Sequence, residues 1–226
     1  IRQSNDWLVI ETPIQIDAFA ATTGRFESIT VGVNHAIVNP TAQRNDVVLA
    51  VRDGNTLWCF CGLRGGWRST NLGSGASVSV LRNVLLAVDG TSLIGYSALT
   101  GTFRNAAANG APSAVAIGDG FALAIDGSTV HAYSAITDRW TSELFTATPN
   151  VASLVGDVAI LTTALELAGY SGVHGTIERQ FMPTAGMTFA ASDHIAHASA
   201  DGMAHWFFGA GWQAPGPAIA PGPPGR

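Results

Sequence analysis

Apolar and polar residues alternate along this chain in runs of about six positions, broken by tight turns, and no stretch sustains a helical period. The pattern predicts short strands. Four Asp-Gly pairs, Asp53-Gly54, Asp89-Gly90, Asp126-Gly127 and Asp201-Gly202, each lie between apolar runs. That pairing is the strongest local hairpin signal, because both central residues of a type I′ turn need positive φ.

The strands recur as one unit. Each unit reads as an apolar strand, a turn, a strand ending on an aromatic, a short turn of Thr-Gly type, and a second aromatic. The clearest copies run from Asn83 to Phe103 and from Asp119 to Trp140. Aligning six copies places a first aromatic at Phe19, Phe60, Tyr96, Tyr133, Tyr170 and Trp206. The second column holds Phe26, Trp67, Phe103, Trp140, Ile177 and Trp212. A third column, Asp6, Asp46, Asn83, Asp119, Asp157 and Asp193, stands just before the second strand of each unit.

Four strands per unit, repeated this often, describe propeller blades and not a helical solenoid. One blade cannot bury both its faces, whereas a ring of blades buries them all and leaves only short edges. The expected fold is therefore all-β: a six-bladed β-propeller of four-stranded antiparallel blades, its ring closed near the chain termini. Residues 1–214 are read as a single propeller, and 215–226 as a Pro/Gly-rich tail. The innermost strand of the first blade comes either from Ile1–Asn5 or from the C-terminal Pro217-Ala218-Ile219-Ala220. TyrSer-x-x-ThrGly-x-Phe at Tyr96–Phe103 and TyrSer-x-x-ThrAsp-x-Trp at Tyr133–Trp140 resemble the units of kelch-type propellers. Quinoprotein-like propellers use a similar Thr-Gly turn. Both resemblances imply the same architecture.

Composition narrows function more than fold. Charged residues are only 12% of the chain and net charge is −5, so a broad basic footprint for nucleic acid is not expected. All eleven basic residues are arginines. Absence of lysine excludes a Schiff-base lysine and a Walker-type phosphate loop. No apolar run approaches the length of a membrane-spanning helix. A surface this poor in charge fits either the composition of a Gly/Ala/Thr-rich proteome or coverage by partners, since abundant surface charge is what keeps monomers dispersed. The chain begins at Ile1, as a processed form or a fragment would, and an extracellular or periplasmic location is slightly favoured.

Candidate chemistry lies where the copies disagree. Pro40 to Asn45 is an insertion in the second unit, so Pro40, Gln43 and Arg44 are candidate partner-binding residues. Arg64 and Arg68 flank Trp67 in a compact basic-aromatic spot that would suit an acidic partner. His194, His197 and His205 gather in the last unit as a weak metal candidate. Placed three apart on a strand, His194 and His197 would point to opposite faces. The Asp/Asn column could ring a cation, yet Asp and Asn are also what turns require. Cys59 and Cys61 share a face of one strand and form no disulfide framework.

No cofactor is expected, and no catalytic set is recognisable by spacing. The leading expectation is a non-catalytic propeller acting as a protein-interaction or structural subunit. A carbohydrate-binding, lectin-like propeller and a hydrolase or lyase working from the central funnel are the alternatives. The last predicts carboxylates, His or Arg converging in that funnel.

Overall fold

The computed structural model describes residues 1–39 and 45–200 in full, with the backbone of 203–208, 211–212 and 216–217. Among them every regular element is a strand, and the strands pair antiparallel in sequence order into six sheets. Five sheets have four strands; the sixth adds a short pairing of Gly216–Pro217 against Met203–Phe208. The chain is a β-propeller, and each sheet is one blade.

The second and third strands of each blade explain the apolar runs in the sequence. Val84–Asp89, Phe121–Asp126 and Val158–Thr162 are buried almost throughout, covered by a neighbouring blade on both faces. Successive blades share cores. Trp7, Val9, Phe60 and Trp67 join the first to the second, and Cys59, Cys61, Leu85 and Tyr96 the second to the third. Tyr133 packs with Val84 and Leu86, and Tyr170 with Phe121 and Leu123. Val158 and Ile160 meet Ala196 and Ala198 in the sixth blade.

Cross-strand pairing defines equivalent positions. Trp7, Val48, Val84, Phe121, Val158 and Ile195 stand opposite Ala20, Cys61, Ser97, Ser134, Ser171 and Phe208. The first aromatic column is confirmed in five blades, but in the sixth the position falls on Phe207, while Trp206 pairs with His197. The reason is a connection between third and fourth strands two residues shorter than in the fifth blade, so that Phe207 pairs with Trp212. A one-residue shift exchanges the two faces of a strand.

The Asp/Asn column also resolves into two registers. Asp6, Asn83 and Asp157 stand one residue before the second strand, and Asp46, Asp119 and Asp193 stand two before it. These turns are stitched across blades by backbone bonds. Val47 N–H donates to Arg82, Asn83 to Asp119, Asp119 to Gly156 and Asp157 to Asp193.

Arg2–Gln3 pairs with Val9 and Leu8, so the N-terminal segment supplies the first strand of the first blade. Ser4 favours this hairpin by accepting the N–H groups of Asp6 and Trp7. Of the C-terminal alternative, Pro217 pairs with Met203 in the sixth blade, and residues 218–220 lie outside the described residues. The first and last described strands thus sit in the first and sixth blades, which puts the seam of the ring between those blades. Phe19 and Phe26 occupy the aromatic columns of the first blade but are 36% and 59% exposed.

Candidate functional site

Most polar side chains that the repeat shares have structural work. Asp53, Asp89 and Asp126 of the Asp-Gly turns accept the N–H groups of Gly32, Gly73 and Gly110 at 3.0, 2.6 and 2.7 Å. Each bond ties a hairpin to the connection arriving from the preceding blade. The fifth blade has no Asp-Gly pair there, and Glu166 takes the place. Its carboxylate accepts from Thr146 N–H and Oγ1 and from Thr163 Oγ1, and it pairs with Arg179 at 3.0 Å. Burial raises the Glu166 pKa, but these hydrogen bonds and the arginine outweigh it and hold the group below the usual value.

A second shared bond crosses every described seam from the second blade to the fifth. Ser97 Oγ donates to Ala135 O and Ser134 Oγ to Gly172 O, both at 2.5 Å. In the second blade Cys61 Sγ does the same to Ala98 O at 2.9 Å. Cys59 and Cys61 are free and buried, and burial pushes both thiols up. Cys61 is the serine position of its repeat, and its burial removes it as a reactive thiol.

Unshared chemistry gathers at one end of the blades. Antiparallel order places the turns between first and second strands, and those between third and fourth, at the same end. Besides an open one of about 450 Å³ lined by Arg104, Asn105, Asp138, Arg139 and Trp140, two further cavities open there. The first, about 260 Å³, is lined by Arg25, Glu27, Cys61, Arg64, Gly66, Arg68, Tyr96, Thr100 and Gly101. Arg25 pairs with Glu27 at 2.8 Å, and Glu27 accepts the Trp67 N–H at 3.1 Å. Arg64 Nε donates to Leu99 O at 2.7 Å, and Arg68 reaches only the adjacent Trp67 carbonyl. Among the described residues neither Arg64 nor Arg68 has a carboxylate partner. The Tyr96 hydroxyl is fully buried and without a hydrogen bond, and its pKa is raised, chiefly by burial.

The corresponding place one seam further round is built differently. Asp138 stands in the turn position of Gly101, with positive φ like it. Its carboxylate accepts from Tyr133 Oη at 2.7 Å and from Thr102 Oγ1 at 2.8 Å, and it pairs with Arg104 at 2.8 Å. Pairing makes Tyr133 equivalent to Tyr96, Arg104 to Arg68, and Thr102 to Gly66. Two glycines thus stand between the second and third blades where the next seam, which has its own wider cavity beside Arg104 and Asp138, carries Asp and Thr.

The second cavity, about 200 Å³, is lined by Arg82, Asn83, Asp119, Asp157, Asp193 and His194, with Leu99, Ile136 and Gly156. Arg82 pairs with Asp119, and His194 lies 3.5 Å from Asp157. Burial raises the Asp157 pKa first of all. His194 and Arg82 oppose that rise, while Asp119 and Asp193 add to it. Among the described residues no three His, Cys, Asp or Glu side chains are placed to share a metal ion.

Of the residues singled out from sequence, the structure brings Arg64 and Arg68 together on the first cavity. Trp67 is buried between the first and second blades, its ring tilted at 54° against Phe60 with centroids 5.2 Å apart and its indole N–H donated to Glu27 O. Pro40, Gln43 and Arg44 lie outside the described residues, as does the side chain of His205. His194 sits in a turn, and His197 on the following strand Ile195–Ala200. Sequence reasoning passed over Tyr96, Gly66, Gly101 and Arg25, although the ThrGly-against-ThrAsp difference between aligned copies was visible.

No family model matches the chain, and no curated protein matches it. Among solved structures it is similar to Hsv2p of Kluyveromyces lactis, at 10% identity over 91% of this chain and 72% of that one, with a TM-score of 0.38. It is also similar to a chain of a mitotic checkpoint complex, at 11% identity over 96% of this chain and 76% of that one, with a TM-score of 0.35. Likeness at this level carries no argument about function.

Proposed function

We propose that this propeller is a non-catalytic interaction subunit that binds a protein partner through the end of the blades carrying the arginine-lined cavity. Its units are read as kelch-like on the Tyr and Thr-Gly pattern of Tyr96–Phe103. The observation that carries the reading is the state of the arginines. Arg52, Arg82, Arg104 and Arg179 are each committed to carboxylates or carbonyls inside the fold. Arg64 and Arg68 are held at a cavity whose one carboxylate, Glu27, is engaged by Arg25 and the Trp67 N–H and whose thiol is buried. A pair of arginines free of carboxylates suits binding and orienting an acidic group.

Affinity capture from the native source, run in parallel with wild-type chain and an Arg64→Gln/Arg68→Gln variant, tests it. A stoichiometric protein retained by the wild type and lost by the variant supports the proposal. Equal capture by both, or none by either, counts against it. The lectin-like alternative lacks its platform in the middle blades, because Phe60, Tyr96, Tyr133 and Tyr170 are buried in the seams.

A second reading, a hydrolase or lyase, is favoured by the Asp119, Asp157, Asp193, Arg82 and His194 cluster. A carboxyl whose pKa is raised beside ionised neighbours is the arrangement acid–base catalysis uses. Asp157→Asn would abolish any hydrolytic activity detected with a substrate panel and leave partner capture intact.

A further inference from the structure

The repeat lets one seam be read against another, and the comparison identifies a ligand chemistry. Between the third and fourth blades, a tyrosine hydroxyl, an arginine and a threonine converge on the carboxylate of Asp138. Between the second and third blades the same tyrosine and arginine positions recur as Tyr96 and Arg68. There Gly101 supplies no carboxylate and Gly66 no hydroxyl. A second cation is added: Arg64 replaces the residue equivalent to Thr100, and its Cδ lies 3.2 Å from where a Gly101 Cβ would stand.

We propose that the cavity between the second and third blades is a carboxylate-binding site. It takes the acidic side chain or C-terminal carboxylate of a partner into the position that Asp138 fills within the chain one seam away.

Other seams show why this one is singled out. Tyr170 also has a buried hydroxyl without a partner, but the arginine position there is Thr141, whose hydroxyl donates to Gly175 O at 2.7 Å. The seam between the first and second blades has Phe60 for the tyrosine and Glu27 for the arginine. Only between the second and third blades do the described residues combine a tyrosine hydroxyl with arginines that have no carboxylate. Two arginines and a hydroxyl give a carboxylate short, charge-assisted bonds. Planar guanidinium groups also suit it better than an ammonium would. With Arg25 and Glu27 at its rim, the cavity carries three cations and one anion.

This inference rests on the interaction reading above, and the test separates the two. Fluorescence polarisation would follow a fluorescein-labelled peptide of alternating Glu and Gly, its Gln counterpart, free glutarate and inorganic phosphate as competitors. The Glu peptide should bind at least tenfold tighter than the Gln peptide. Arg68→Gln and Arg64→Gln should each weaken it at least tenfold. Gly101→Asp should abolish it, because that variant installs the chain's own carboxylate against Tyr96. Arg64→Gln and Arg68→Gln lie at the cavity surface and keep the test usable if Gly101→Asp fails to fold.

Displacement by glutarate only at tenfold or higher concentration than unlabelled Glu peptide assigns the site to a macromolecular partner, whereas equal potency overturns that part. Binding of phosphate without the Glu peptide, or equal binding by wild type and Gly101→Asp, overturns the proposal. If Gly101→Asp captures the native partner as well as the wild type does, the carboxylate inference falls and the interaction reading stands. If the peptide binds as expected but no partner is captured, the reverse holds.

Discussion

Replacing Asp138 by glycine would convert the built seam into a copy of the open one, and the cost can be worked from its contacts. Tyr133 Oη, at 2.7 Å from the lost carboxylate, would be left buried without an acceptor, costing about 2 kcal/mol. Thr102 retains Thr100 Oγ1 at 2.8 Å, so its loss is about 0.5 kcal/mol. Arg104 is more than half exposed, and its side of the pair adds about 0.5 kcal/mol. Glycine relieves the positive φ of 54° at this turn, returning about 1 kcal/mol. The net expectation is a loss of about 2 kcal/mol, or about 4–8 °C in Tm for a chain of this size.

Acetate should then act as a replacement side chain. With a Kd of about 10 mM, 100 mM acetate would restore about 1.4 kcal/mol, since a ligand of the native state stabilises by RT ln(1 + [L]/Kd). Urea unfolding of wild type and Asp138→Gly, in acetate and in chloride of matched ionic strength, reads both quantities. A variant within about 0.5 kcal/mol of wild type would refute the contact reasoning. A variant destabilised as expected but indifferent to acetate would refute the idea that this geometry recognises carboxylates.

Other predictions address the shared devices. Ser134→Ala removes a buried bond across a seam and the Thr137 N–H acceptor, and should cost about 1–3 kcal/mol by urea unfolding. Cys61→Ser should stay within about 1 kcal/mol of wild type, because Ser97 and Ser134 do the same work in their blades. The Glu166 pKa lies below its unfolded value near 4.5, so its contribution is present above that pH and is lost as pH falls through the folded pKa. Glu166→Gln should therefore flatten the acid limb of the stability profile below about pH 5, and a profile parallel to wild type would contradict the assignment. Gly101→Asp should raise Tm, the mirror image of Asp138→Gly, measured by calorimetry.

The propeller fold, strand order and hairpin turns were legible in the sequence because each copy repeats the same local signals. Asp-Gly turns, apolar strands and paired aromatics all point to one register, and pairing confirmed it in five blades. The sixth departed because its last connection is short, a feature that spacing between aromatics absorbs without trace. The Asp/Asn column looked uniform because one residue of stagger is invisible when loops vary in length. Arg64 and Arg68 were visible as a basic spot, but not what they face. The tyrosine and glycines that complete the cavity come from two blades about thirty residues apart, and only packing sets them side by side. Trp67 misled for a plain reason: an aromatic in a repeat column is built into the seam.

The most direct test is a crystal structure of the chain grown with glutarate or the Glu peptide. The account predicts a carboxylate between Tyr96 Oη and the guanidinium of Arg68, superposing on the Asp138 carboxylate when the third blade is laid on the fourth. Arg64 should close over its second oxygen. Density for the ligand elsewhere, or a Tyr96 hydroxyl turned to a protein acceptor with the cavity collapsed, would contradict it.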